Sequence, residues 1–451
     1  MIMPTKTRRS KFMKRKKLMS VLLVSALAVG MVSGCGNDKK EELAESSENS
    51  KPYEGVELSM LVDNATGKEG YEAVLDLAEK EFGIKVKVEV GLSGTEQQNL
   101  MKTRLAAGEA PDIIYYNTGS LLSSVNPEQY FIDLSDSKVS SSLDDGFVQA
   151  ASVDGKLYGV PYQCSNVGGV FYNKTIYEEL DLDVPQTWDD FIANCDKIKK
   201  SGQTAVIGSF GDVWTTQLPF LADNYAMIYE NPDFPEQFTD GAAKFAATKA
   251  GVRSFEKLAA LTPYYNEDYL ACTYNDACDM LANGEGAHYF IQSNCLNTIS
   301  SLYGQETANG IGFFATPGDT AEETGATVWC SNALYGNKNS ENVDAVKALL
   351  EWWTSDDAIT AFVKEVPAVG PYHNGYKLPE ESFTAVKEDM QKYFDEGKTA
   401  PALEFLTPVK GINCESLCQE LGSGQSTPEE TAQAYDEDCK KQAVQLGLKW
   451  D

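Results

Sequence analysis

Apolar and polar residues alternate without a break from Ile84 to Val90 (IKVKVEV), the period-two signature of a strand with one face buried. Just before it, Gly70–Phe82 (GYEAVLDLAEKEF) spaces Val74, Leu75, Leu77, Ala78 and Phe82 close to a helical period, and Gly83 stops the helix. Val56–Val62 (VELSMLV) alternates weakly and predicts a strand. Thr95–Ala107 returns to helical spacing and ends at Gly108, and Ile113–Tyr116, after Pro111-Asp112, predicts a short buried strand. The opening therefore reads β-α-β-α-β, with the apolar period switching between two and about 3.6. That pattern predicts an α/β lobe with a largely parallel sheet.

Further on, Val160–Tyr172 (VPYQCSNVGGVFY) reads as strand material with a glycine pair, followed by a short helix over Asn173–Leu180. Thr187 is placed to cap a helix, with Asp190 three residues on, a shortened version of the usual capping box. Helical spacing recurs over Ala242–Leu261, Tyr274–Asn283, Val343–Trp353, Glu381–Asp395 and Pro428–Leu446, and strands are predicted at His288–Gln292 and Gly310–Ala315. No internal repeat is present.

The N-terminus follows a different pattern. Residues 1–17 carry eight Lys or Arg and no acid, and Leu18–Val32 is almost wholly apolar. This is the layout of a secretory signal, and its apolar core is too short for a comfortable membrane span, which needs about 20 residues. Val32-Ser33-Gly34-Cys35 closes the run and resembles the lipobox of bacterial lipoproteins, in which the cysteine is acylated and becomes the new terminus. Gly36–Lys51 has one branched aliphatic residue and no aromatic, too little apolar surface to offset the entropy of ordering it. The expectation is a signal over 1–35, lipidation (palmitate) at Cys35, and a flexible tether over 36–52 that holds the body at the outer face of the cell membrane.

Composition narrows the partners. The first 35 residues hold eight of the 38 basic residues and none of the 67 acids, leaving 30 against 67, a net charge of −37. A field of that sign repels phosphate backbones, so no nucleic acid partner is expected. About 400 residues beyond the tether exceed one ordinary core, so two domains are expected. Apart from Cys35 there are nine cysteines, Cys164, Cys195, Cys272, Cys278, Cys295, Cys330, Cys414, Cys418 and Cys439, without a CxxC and with only His288 and His373 beside them. That is not a zinc pattern, and no metal or cofactor is expected. Cys414 and Cys418, four apart, read as two buried small apolar residues on one helix face.

Several segments, in this order, resemble the family 1 extracellular solute-binding proteins of ABC importers. They are KVKVEV after the first strand and helix; RLAAGEAPDIIYYNTGSL (Arg104–Leu121); GKLYGVPYQCSNVGGVFYNKTIYEELDLDVPQTWDDF (Gly155–Phe191); MLANGEGAHYFIQSN (Met280–Asn294); IGFFATPG (Ile311–Gly318); and AVKALLEWWTSDDAITAF (Ala345–Phe362). The likeness spans about residues 53–451. It implies a two-lobe α/β fold of the periplasmic-binding-protein type (class II), with a ligand cleft between lobes. By that analogy lobe 1 is 53–172 plus 318–352 and lobe 2 is 173–317 plus 353–451. It also implies a monomer that delivers its ligand to the transmembrane permease subunits of an importer.

A sugar offers hydroxyls around a ring with apolar C–H faces, so its binder needs flat aromatics and amide or acid groups. Resemblance to the family places the contacts on loops at strand ends. There the candidates are Asn64 and Thr66 after the first strand, Tyr116 and Asn117 after Pro-Asp-Ile-Ile, and Asp212 and Trp214 in GSFGDVWTTQLPF. Ser293 and Asn294 follow the Ala-His-Tyr-Phe strand, and Trp329, Asn332 and Glu404 complete the set. Two other readings stand beside the sugar binder. One is a carbohydrate-active enzyme of the cell surface, which needs two carboxylates across a bond. The other is a binder of a different solute such as a polyamine, which would suit Asp212 and Glu404. No GxSxG, HExxH, P-loop or dinucleotide glycine fingerprint is present, so a binder, not an enzyme, is expected.

Overall fold

The computed structural model describes residues 51–450 apart from Ala65, Ser93, His373 and Asn374. The signal, Cys35, most of the tether and His373 lie outside the described residues. The opening follows the predicted order: strand β1 (Glu57–Asp63), helix α1 (Lys68–Phe82), strand β2 (Lys85–Gly91), helix α2 (Gly94–Ala107) and strand β3 (Ile113–Asn117). Helix α1 buries Tyr71, Val74 and Ala78, and Gly83 ends it in the left-handed conformation at φ 79°, its N–H bonded to the Glu79 carbonyl. The alternation that flagged β2 has its physical cause here. β2 is the edge strand of its sheet, with Val86 and Val88 against the core and its lysines outward.

Two sheets carry the fold. The first has five strands in the order β2, β1, β3, Asn332–Gly336, Gly159–Pro161; β2, β1 and β3 run parallel, and Asn332–Gly336 is antiparallel to both its neighbours. The second is built around Asn166–Asn173, which pairs antiparallel with Gly286–Gln292, Ile311–Phe314 and Ala326–Trp329. Thr204–Ile207 and Thr399–Pro401 flank it as parallel outer strands. Each sheet has its own buried core, and the second lobe adds a helical core in which Phe220, Phe255 and Tyr435 meet. The Thr187–Asp190 capping box is complete, side chain to backbone in both directions.

Strand pairing moves the expected boundaries. Val160–Tyr172 is not one strand but two: Gly159–Pro161 belongs to the first sheet and Asn166–Asn173 to the second, with Tyr162–Ser165 crossing between them. Ala326–Trp329, expected in lobe 1, pairs within the second sheet. The helix Asp356–Glu365, expected in lobe 2, lies on α1, with Phe362 against Gly70. By strand membership the first sheet draws on residues 57–161 and 332–336, and the second on 166–329 and 399–401. Helical expectation over 381–395 also resolves differently, as a π-helical turn (Ala385–Met390) running into an α-helix (Gln391–Asp395). That turn lies along the strand Ile311–Phe314, where Asp389 accepts the Phe313 N–H at 3.0 Å.

His288 is a core residue. Its Nδ1 donates to the Ala205 carbonyl at 2.7 Å, which leaves Nε2 to accept from the Tyr177 hydroxyl at 2.7 Å. Burial pushes the imidazole down to about 4, against the opposing pull of the Ala205 carbonyl. The neutral ring is thus favoured in the folded state, while the unfolded chain takes up a proton already near pH 6.5. This contribution is intact above the unfolded value and is lost as pH falls from there toward the folded one. The wild type is expected to lose about 2 kcal/mol more stability between pH 7 and pH 5 than His288→Gln. Urea denaturation of both chains at the two pH values checks this; equal losses would contradict it.

Candidate functional site

The strand registers bring the ends of both sheets together. In the first sheet Asp63 pairs with Gly91 and Asn117 with Asn332, so these residues share one edge. In the second, Asn166 pairs with Trp329, Gly168 with Gln292 and Val328 with Pro401, which defines another edge. Tyr162–Ser165 and Cys330–Ser331 run directly from one edge to the other. Segments of four and two residues cannot span more than about 3.5 Å per residue, so the edges must face each other across a narrow gap. The crevice opens away from these crossings.

Lobe 1 supplies mostly neutral polar groups to this edge. Asn64 is exposed in the turn after β1, and the Thr66 hydroxyl donates to the Asp63 carbonyl at 2.8 Å. The Asn117 side chain is half-buried and accepts from Gln98 Nε2 at 3.4 Å, with Asn332 opposite it in the ladder. Tyr116 does not stand in the crevice. It is 2 % exposed in the first core, because successive residues of β3 are covered on both faces of the sheet.

Lobe 2 sorts the remaining candidates into open and engaged groups. Trp214 is 37 % exposed, its ring 5.4 Å from that of Tyr274. Asp212 has its carboxylate on the backbone N–H of Tyr274 at 2.7 Å, at the N-terminus of the helix Tyr274–Asn283, so its charge is spent on the helix end. Ser293 is fully buried, and its hydroxyl accepts the Val167 N–H at 3.0 Å, extending the strand pairing by one step. Asn294 begins the helix Cys295–Tyr303, and its Oδ1 is buried without a partner among the described residues. Trp329 is 4 % exposed with its ring packed against Gly168, so it offers no open face. Its Nε1 donates to Glu404 Oε1 at 2.8 Å, and the other oxygen of Glu404 is ion-paired with Lys410. Burial works against the Lys410 ammonium, but Glu404 outweighs it and holds its pKa above the usual lysine range.

The structure thus places Asn64, Asn117, Asn294 and Asn332 at or just beyond strand ends and leaves Trp214 partly exposed, while Tyr116, Ser293 and Trp329 serve packing and Asp212 and Glu404 are held by protein partners. Sequence reading missed Tyr274, Gln98 and Lys410. Tyr274 stands one residue after the helix cap Thr273, and Gln98 is the fifth residue of α2, positions that mark them as parts of helix starts rather than as contacts. Nothing in the sequence couples Lys410 to Glu404. The nine cysteines described are free thiols, and no cluster of metal-ligating side chains occurs among the described residues. Replacing Trp329 by Phe keeps the ring but removes the donor to Glu404. The expected cost is about 1–2 kcal/mol of stability in urea denaturation; an unchanged midpoint would show that Glu404 is not held this way.

A profile described as bacterial extracellular solute-binding protein matches residues 73–390. The multiple sugar-binding protein of Streptococcus mutans is 25 % identical over 325 residues, 69 % of this chain and 75 % of that protein. The melibiose/raffinose/stachyose-binding protein MelE of Bacillus subtilis is 24 % identical over 222 residues, 49 % of this chain and 48 % of that protein. Among solved structures, the apo form of RafE from Streptococcus pneumoniae superposes with a TM-score of 0.72 at 19 % identity, covering 88 % of this chain and all of that one. The fold is that of the two-lobe solute-binding proteins, with the cleft between the lobes. The chain belongs to the bacterial extracellular solute-binding protein family.

Proposed function

We propose that this protein captures a sugar or oligosaccharide in the crevice between its lobes and passes it to the permease of an ABC importer, from a lipid anchor at Cys35 on the outer face of the membrane. The observation that carries the reading is the chemistry of the facing edges. One edge presents carboxamides and the other the exposed ring of Trp214, backed by the half-buried Tyr274. Amides donate and accept, as hydroxyls do, and an aromatic face covers C–H bonds. The relatives named for sugars support the same ligand class. Ligand contacts made with both edges at once favour the closed arrangement of the lobes, a population shift that the permease would read.

The rival readings fare worse. A polyamine needs free carboxylates, yet Asp212 faces a backbone N–H and Glu404 is neutralised by Lys410. An enzyme cleaving glycosides needs two carboxylates available to a bond, whereas the relatives named above are binding proteins.

A thermal-shift screen of the purified chain across mono- and oligosaccharides, repeated with Trp214→Ala, tests the proposal. A bound sugar at a hundredfold excess over its Kd is expected to stabilise the wild type by about 2.7 kcal/mol. The shift should vanish or shrink in the variant, and the recovered oligosaccharide should be of unchanged length. A screen without any shift, or a shift accompanied by shortened products, would sink the reading.

A further inference from the structure

Gln97 lies in the first turn of α2, 4 % exposed, and neither its Oε1 nor its Nε2 has a partner among the described residues. An unpaired buried amide is expensive, about 1–3 kcal/mol per group, so natural cores pair theirs. This chain does so elsewhere. Asn173 accepts from Ile176 N–H and donates to the Leu281 carbonyl; Asn224 donates to the Pro401 carbonyl; Asn266 accepts from Gly208 N–H and donates to Asp268. Among the described residues four hydroxyls, those of Tyr116, Tyr265, Thr316 and Ser382, are also buried unpaired, but the carboxamides with this deficit are Gln97 in lobe 1 and Asn294 in lobe 2, each in the opening turn of a helix, and Gln97 alone lacks partners at both its polar atoms.

The place where Gln97 rests is a made one. A Cβ at Gly91 would fall 2.3 Å from its Oε1, so a larger residue at 91 would push the flexible end of Gln97 out of this place. Gly91 is the last residue of β2 and pairs with Asp63 on the crevice edge. Beside it, Gln98 bonds Asn117 at 3.4 Å, a long contact that is easily exchanged.

We propose that Gln97 is a specificity-determining ligand contact: its carboxamide turns from its resting place over Gly91 into the crevice and reads a ligand hydroxyl, donating and accepting at once. This rests on the carbohydrate reading above. The unpaired state of the free protein then offsets part of the cost of turning, and the amide gains in the complex the hydrogen bonds it lacks without ligand. A hydroxyl suits both halves of the amide, whereas an ammonium could use only its oxygen. A sugar lacking that hydroxyl would leave the turned amide unpaired, which is the strongest form of discrimination available to a site.

The experiment compares the wild type with Gln97→Leu by calorimetric titration with raffinose, stachyose and maltotriose, and by melting without ligand. Leucine fills similar space and removes both unpaired groups. The expected result is a free protein that melts higher than the wild type yet binds its best sugar about tenfold more weakly. Unchanged affinity with higher melting would overturn the proposal, leaving Gln97 a passive defect, while the carbohydrate reading stands. Failure of the wild type to bind any of the three sugars would overturn the carbohydrate reading and this proposal with it. Gln97→Met, unbranched like glutamine, makes the same comparison should leucine not be accommodated; its expected and overturning results are the same.

Discussion

Two sheets with separate cores can act as one device only because backbone crosses between them at a single place, and that crossing is packed to the limit. A Cβ on Gly370 would lie 2.0 Å from the Ser165 carbonyl oxygen, so no other residue could stand there without moving one crossing off another. The Trp353 indole donates to the Tyr162 carbonyl at 3.0 Å, and the Ser165 hydroxyl reaches Cys330 Sγ at 3.6 Å. A backbone so closely held cannot slide. The Thr118 N–H, bonded to the Ser331 carbonyl at 3.1 Å, ties the end of β3 to the same place.

On the lobe-2 edge, charge is consumed and neutral groups are left over. Asp212 fixes a helix end, Glu404 is shared between an indole and an ammonium, and Ser293 extends the sheet. Each engagement makes the wall rigid and each removes a group that could have bound a cation. The net charge of −29 acts on solubility and encounter.

Deep in lobe 2 the opposite logic applies. Asp223 and Lys257 form an ion pair at 2.7 Å with both side chains almost fully buried, and Ser254 donates to the second carboxylate oxygen at 2.7 Å. Burial raises the Asp223 pKa and its lysine and serine partners oppose that. Breaking such a pair leaves a buried charge alone, at a cost of several kcal/mol. This pair holds the helix Lys249–Leu261 against the segment that carries Asp223, behind the crevice wall rather than in it. Its role is to fix that segment's position.

Local pattern determined the opening β-α-β-α-β unit, the alternation of β2, the helix ends at Gly83 and Thr187, and the resemblance to the solute-binding family, because each depends on residues near one another in sequence. It placed Asn64, Asn117 and Asn294 after predicted strands for the same reason, whereas Trp214 and Asn332 were placed by the resemblance to the family. Tertiary structure alone decided which sheet a strand joined. Val160–Tyr172 carries one apolar pattern, but hydrogen bonding splits it at Tyr162–Ser165, since partners lie far along the chain. Tertiary structure alone also decided that Trp329 is packed while Trp214 is open, that Glu404 meets Lys410, and that Gln97 has no partner. Burial and pairing are properties of what folds over a residue, and no residue's own neighbours in sequence carry that information.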